Sequence, residues 1–331
     1  MNAAPSKIIS NYNASNFVQD YWRERTAVKI SDFMSIETAG KYSKKFFFEN
    51  VDTPVICAGY ENKMQADGTR QYFRVKGFLI PEVKEVGKLF NHYKRSKEKI
   101  TLFLYNLDLK FDSLNIVRNN FKVGHAFRQY DVATSISPKD STIGYHADDK
   151  DVIIVQTQGT RRWKIWHPDV ISEDYRNDLI KQGNKLPEPP EKTKEAPYLD
   201  VELLPGEAIY IPALWPHEGF TQEDENKDDS VSLSFSWVVL TPRTFFIHDW
   251  ENLPKQLETV IESHPETFFS IIPDPIEEDP EVYYYQSVMN ILKEFDLSEE
   301  EFGEYVHSRI ENVFKMLIEF HDIKPTHTPQ H

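Results

Sequence analysis

Cysteine is almost missing from this sequence. Cys57 is the only one in 331 residues, so no internal disulfide can form and no metal site can be built from several thiolates. Long apolar runs are missing as well: no stretch approaches the ~20 consecutive apolar residues of a membrane-spanning helix. The opening MNAAPSKIISNYNASNF lacks the hydrophobic centre of a secretory signal. Positive charge is scarce, with 38 Lys and Arg against 53 Asp and Glu and a formal net charge of −15. Such a surface repels phosphate backbones, so direct nucleic-acid binding is not expected. The densest basic run, HYKRSKEK (92–99), reads as a solvated helix end. No repeat at solenoid periods is visible. What remains is a cytoplasmic globular protein without membrane association.

Apolar and aromatic residues are plentiful: 40% of the chain is hydrophobic, and 22 Phe and 16 Tyr can fill a large core. Three zones follow from the patterning. Residues 1–125 mix helices and strands in an α/β segment. Within it NFVQDYWRERTAVKI (16–30) reads as a helix running into a strand, with Phe17, Tyr21 and Trp22 on one face. A second helix carries Val83, Val86, Leu89, Phe90 and Tyr93 on one side, and KITLFLYNLDL reads as a buried strand. Residues 126–243 are strand-rich. VIIVQTQGTRRWKIW reads as a hairpin turning near Gly159, and VELLPGEAIYIP as a Pro205-Gly206 turn entering a strand. SVSLSFSWVVL (230–240) alternates strictly, with Val231, Leu233, Phe235, Trp237 and Val239 on one face and four serines on the other. One greasy face and one serine-lined face suit a barrel around a small polar pocket. KQGNKLPEPPEKTKEAP reads as a surface loop. Residues 244–331 are helical. Ser298 with Glu301 has the spacing of a capping box, and Phe302, Val306, Ile310, Val313, Leu317 and Phe320 keep helical spacing. That face either packs the barrel or forms a homodimer contact.

The chemistry concentrates in STIGYHADDKDVIIVQTQGTRRWKIW (141–166). If His146 and Asp148 open a strand, they point to one side, roughly 6–7 Å apart, and can grip a metal from two directions. The best third ligand is His217 in ALWPHEGF, directly after a strand ending IYIP. Two histidines and a carboxylate on one face of a metal leave three positions open, the donor set of non-haem iron(II) oxygenases. A lone His-x-Asp is also common at turn-to-strand junctions, so the pair needs company to carry this reading. His125, His167 and His248 read as surface or satisfied core histidines. Asp149 and Asp151, by strand alternation, face away from the pair and read as outward or turn-stabilising.

The company is specific. SISPKDSTIGYHADDKDVIIVQTQGTRRWKIW, joined to LLPGEAIYIPALWPHEGF, resembles the cupin-type JmjC oxygenases, and within them the ribosomal-oxygenase branch. The likeness follows the order His-x-Asp, Asp-Val and an apolar strand, Gln, Gly, an Arg-rich turn, Trp, a Pro-Gly turn, Tyr-Ile-Pro and Pro-His. Glu207 departs from it, standing where Asp usually follows the glycine. The resemblance covers about 115 residues and implies a mainly β fold, a double-stranded β-helix (jelly-roll) core with flanking helices and a C-terminal helical region. It implies Fe(II) held by His146, Asp148 and His217, with 2-oxoglutarate as co-substrate and O2 as oxidant. The family's carboxylate anchor maps onto Arg161, with Ser137 as its hydroxyl partner. Arg162 should face the other way. Ser232 and Ser234, from the serine-lined face, would line the same pocket. With Asp148 retained, rather than the Gly or Ala of related halogenases, the implied outcome is hydroxylation.

The substrate is not written in the motif. The resembling branch hydroxylates protein side chains and carries a winged-helix module after its dimerisation helices, for which the 114 residues after His217 leave little room. Three readings stand: hydroxylation of a side chain in a peptide or protein, hydroxylation of a free amino acid or small metabolite, and a non-catalytic cupin-like binding module. The first is favoured, because an acidic surface attracts a basic peptide and because all three metal ligands are present.

Overall fold

Period-two alternation dominates residues 129–238, and these residues supply most of the strands around the site. The computed structural model describes the whole chain except residues 1–5, 11, 52–54, 65–69, 81–82, 96–98, 124–127, 183–191, 222–228, 247–250, 276–278 and 323–331. His125, His248, the end of the basic run and most of the Pro- and Lys-rich loop therefore lie outside the described residues.

The strands are β1 Ile8–Ile9, β2 Val28–Ile30, β3 Val55–Met64, β4 Arg70–Ile80, β5 Lys99–Leu104 and β6 Gln129–Ser137. They continue with β7 Lys150–Gln158, β8 Arg161–Ile165, β9 Leu199–Leu203, β10 Ala208–Ile211, β11 His217–Phe220 and β12 Ser230–Val238. Nine of them form one sheet in the order β1-β2-β10-β7-β12-β6-β5-β3-β4, and β11-β8-β9 form a second. Val152 and Ile154 of β7 and Ile209 and Ile211 of β10 share one buried cluster with Trp163 and Ile165 of β8. The two sheets thus close face to face on a common interior, the jelly-roll barrel of the cupin type. Five of the nine strands in the large sheet come from the first 125 residues, so this segment extends the barrel wall as well as flanking it.

The hairpin expected around Gly159 is corrected. Gly159 does turn the chain, with φ 63°, but β7 pairs with β10 while β8 pairs with β9 and β11. The chain crosses at this glycine from one sheet to the other. A local pattern of two strands and a turn does not distinguish a hydrogen-bonded hairpin from such a crossing. Alternation along β12 holds: Val231, Leu233 and Phe235 are fully buried on the outer face, where Phe235 packs against Phe121 at 5.3 Å between ring centroids. Phe17 and Trp22 from the helical segment before β2 cover the same side of the sheet through Tyr210, at 5.5 and 5.1 Å.

Two compact units divide the chain. The first comprises Met1–Val123, Tyr130–Ile171 and Glu188–Ser236 and holds the barrel; the second comprises Gly124–Gln129, Ser172–Pro187 and Trp237–His331. In the second, helices Lys255–Ser263, Pro280–Lys293 and Glu299–Asp322 pack around Leu257, Ile261, Tyr284, Val288, Val306 and Ile310. Ser298 caps the last helix by accepting the Glu301 N–H at 3.2 Å. Phe302, Val306, Ile310 and Val313 are buried inside this unit. The Leu317 and Phe320 side chains lie outside the described residues. Among the described residues no helix is long and apolar enough to cross a membrane.

Candidate active site

His146 and Asp148 do not open a strand, because β7 begins at Lys150. His146 instead makes an isolated antiparallel bridge with His217. Each backbone N–H donates to the other's carbonyl, at 3.0 Å from His146 and 2.7 Å from His217. This exchange pins together two segments 71 residues apart and sets the imidazoles 4.3 Å apart between centroids. Leu214 strengthens the clamp by donating its N–H to the Asp148 carbonyl at 2.8 Å. It does so in the left-handed region, φ 70°, a conformation uncommon outside glycine.

The rings are oriented in the same way. His146 Nδ1 lies 2.9 Å from the Gly144 carbonyl and His217 Nδ1 2.9 Å from the Trp215 carbonyl, each two residues upstream. A carbonyl only accepts, so both Nδ1 atoms carry a proton, and in the neutral ring the lone pair is then on Nε2, the atom that faces Asp148. The Asp148 carboxylate oxygens lie 4.0 Å from His146 Nε2 and 3.6 Å from His217 Nε2. One ligand atom from each residue falls within 4.8 Å of the others. Burial and the neighbouring His146 lower the His217 pKa to about 4, so its imidazole is neutral at physiological pH. Burial works against ionisation of Asp148, but His146, His217 and Lys150 together outweigh it and hold its carboxyl below the usual range. A neutral imidazole and an ionised carboxylate are the forms that bind a divalent cation.

Arg161, the first residue of β8, is 3% exposed and points into the barrel. One Nη donates to Ser135 Oγ at 2.9 Å and the other to Ser137 Oγ. Ser137 Oγ in turn lies 2.9 Å from Thr101 Oγ1. Hydroxyl groups are its only hydrogen-bond partners among the described residues. Burial pushes its pKa down to about 10, and no carboxylate holds it up. Ser137 stands where the sequence reading placed it. Ser135 escaped that reading, although it shares Ser137's face two residues earlier on the same strand. Arg162 points outward and forms a two-pronged pair with Asp200, at 2.7 and 2.8 Å.

Ser232 lies on the inner face but is bonded elsewhere. It donates to Gln156 Oε1 at 2.8 Å, while Gln156 Nε2 donates to Ser230 Oγ at 2.9 Å. The structure therefore joins Ser232 to a Gln156 network, not to Arg161. Ser234 keeps the same parity along β12 and is half-buried. Asp149 pairs with Lys150 at 2.7 Å. Asp151 faces away from the triad as expected, yet it is fully buried rather than outward. It pairs with Arg25 at 3.0 Å and accepts the Ala213 N–H at 2.9 Å, bracing the loop before His217. Glu207 closes its turn by accepting the Leu204 N–H at 2.8 Å and pairs with Lys29 at 2.7 Å. His167 is exposed beside Asp169 and packs edge-on against Trp215.

Residues 117–242 match the family model described as JmjC domain. That stretch is similar to the JmjC domain. The match contains His146, Asp148, Arg161 and His217, with every strand from β6 to β12. A probable ribosomal oxygenase of Haemophilus influenzae is 24% identical over 210 residues, which is 63% of this chain and 46% of that protein. The ribosomal protein uL16 3-hydroxylase of Escherichia coli is 31% identical over 104 residues, 28% of this chain and 23% of that protein. A solved structure of an Escherichia coli ribosomal oxygenase in complex with cobalt and 2-oxoglutarate aligns with a TM-score of 0.48 and 19% identity, over 90% of this chain and 71% of that one. The chain spans less than half the length of the curated relatives it matches.

Proposed function

We propose that this protein is an Fe(II)- and 2-oxoglutarate-dependent oxygenase that hydroxylates an amino-acid side chain in a peptide or protein. The observation that carries the reading is a pairing inside one barrel. Two imidazoles, each with Nδ1 tied to a backbone carbonyl, converge with a carboxylate, and a buried guanidinium without a carboxylate partner lines the same interior. The first is a donor set for a divalent metal with open positions; the second is a receptor for an anion carried on a bound molecule. The residues present fit both groups. His146, Asp148 and His217 would hold iron(II), and the Gly144 and Trp215 carbonyls would keep the two imidazoles in the ligating tautomer. Arg161, with Ser135 and Ser137, would receive the distal carboxylate of 2-oxoglutarate.

When bound, iron with 2-oxoglutarate and O2 supplies the oxidant: one oxygen atom enters a substrate C–H bond, the other enters succinate, and carbon dioxide leaves. The protein's own part is to fix the ligand geometry, to supply one positive charge at the far end of the co-substrate, and to keep water from that charge by burial. A protein side chain is the favoured substrate class because the relatives are named for ribosomal oxygenase and ribosomal-protein hydroxylase activity. A cytoplasmic setting, residues 126–243 as the catalytic core, and a homodimer through the helices of residues 244–331 belong to the same proposal.

The test is succinate formation from 2-oxoglutarate with Fe(II) and ascorbate, together with mass spectrometry of a basic peptide library and of free amino acids for the gain of one oxygen. Products among peptides, abolished by Asp148→Ala, are expected. Products only among free amino acids would move the substrate to small molecules, and no turnover with any substrate would leave a binding module.

A further inference from the structure

Two buried donors on one face of β8 have no hydrogen-bond partner within the described protein: Arg161 Nε and Trp163 Nε1. The two residues are spaced i, i+2 and each is 3% exposed. Leaving a buried N–H unpaired is costly, and native interiors pair nearly all such groups. An indole N–H can only donate, so whatever satisfies Trp163 must bring an acceptor.

The position of the ring narrows the choice. Its centroid lies 5.5 Å from the Arg161 guanidinium carbon and 6.0 Å from the His217 ring, so the indole neighbours both the anion receptor and one arm of the triad. Its benzo edge lies against the neighbouring strand. Gly219 pairs with Trp163 across β11 and β8, and a Cβ at Gly219 would come within 2.7 Å of the ring. Glycine there leaves room for the six-membered ring of the indole against the neighbouring backbone. A molecule held by both Arg161 and the triad would come close to this ring, and a 2-oxo dicarboxylate carries acceptor oxygens at both ends.

We propose that Trp163 donates its Nε1–H to an oxygen of the bound 2-oxo dicarboxylate, making it a co-substrate-binding residue beside Arg161, with Gly219 leaving room for the ring. The proposal rests on the 2-oxoglutarate reading above. It adds a neutral donor close to both the charged anchor and a metal ligand. Such a donor favours a co-substrate with an acceptor at that point over an anion that only satisfies the arginine.

Two measurements test it without turnover. In Zn(II)-loaded protein with 15N-labelled tryptophan, the six indole N–H signals are recorded with and without 2-oxoglutarate, the Trp163 signal being assigned by its absence in Trp163→Phe. The expected result is a downfield shift and slowed solvent exchange of that signal. In parallel, calorimetric titration of 2-oxoglutarate should show Trp163→Phe binding about ten- to a hundred-fold more weakly, the range for losing one hydrogen bond to a charged acceptor. A Trp163 signal that does not respond while wild type binds 2-oxoglutarate would overturn the proposal, as would unchanged affinity in Trp163→Phe. No binding of 2-oxoglutarate to wild type would instead overturn the reading on which it rests. Because the NMR measurement is made on unaltered protein, it decides the matter even if Trp163→Phe folds poorly.

Discussion

Replacing Arg161 by methionine should separate stability from function. The guanidinium is buried at 3% exposure and its pKa is pushed down to about 10. Relative to its ordinary value, that corresponds to about 3 kcal/mol against the charged form in the folded chain. The sign follows directly: the unfolded chain holds the proton more tightly, so this cost applies at every pH below about 10. Against it stand two hydrogen bonds from the charged guanidinium to serine hydroxyls, worth together about 3 kcal/mol at the low end of the range for a charged donor. Methionine has a similar length, adds no polar atom and leaves Ser137 bonded to Thr101. The ligand-free Arg161→Met protein should therefore be as stable as wild type or up to about 2 kcal/mol more stable. By scanning calorimetry this is a melting-temperature change between zero and about +8 °C. Addition of 2-oxoglutarate with Zn(II) should raise the melting temperature of wild type beyond Zn(II) alone and add nothing to the variant. A ligand-free variant destabilised by more than about 2 kcal/mol would refute the reasoning, since Arg161 would then be a structural support. A retained response to 2-oxoglutarate would refute it from the other side.

Two further outcomes follow from features that hold the barrel in register. Gly206 adopts φ 92°, and a Cβ there would lie 2.4 Å from the Met34 carbonyl oxygen; Gly206→Ala should cost about 2–4 kcal/mol in urea unfolding, and a loss below about 1 kcal/mol would mean that the turn relaxes freely. Asp229 is 3% exposed and lies 2.5 Å from Lys44 Nζ and 2.7 Å from Lys94 Nζ. Burial alone would raise its pKa, but the two lysines hold it below the usual carboxylate range. Its folded value is thus below its unfolded one, so its stabilisation is complete above the ordinary carboxylate pKa and is lost as pH falls through the folded value. Asp229→Asn should cost about 1–2 kcal/mol at neutral pH, reduced because both lysines reach solvent. The variant and wild-type curves should converge at low pH; a constant difference would sink this account.

The sequence by itself determined whatever repeats along a strand or depends on one residue's chemistry. Serines alternating with apolar residues in β12 defined its two faces, because successive side chains on a strand must oppose each other. Gly206 after Pro205 marked a turn, because that backbone conformation strains any side chain. His146, Asp148 and His217 were legible as a set because few residue types bind hard divalent metals and these three stood in a recognisable order. Tertiary structure alone decided what depends on partners distant in sequence. It placed His146 in a bridge with His217 instead of on a strand, since that bond joins segments 71 residues apart. It split the expected hairpin between two sheets at Gly159, because two strands and a turn have the same local pattern whether or not they pair with each other. It buried Asp151 against Arg25, directed Ser232 to Gln156, and gave Arg161 a second hydroxyl in Ser135. The unpaired N–H of Trp163 also appeared only in the folded chain, because a missing hydrogen bond is a property of everything packed around a residue and of nothing in its own sequence.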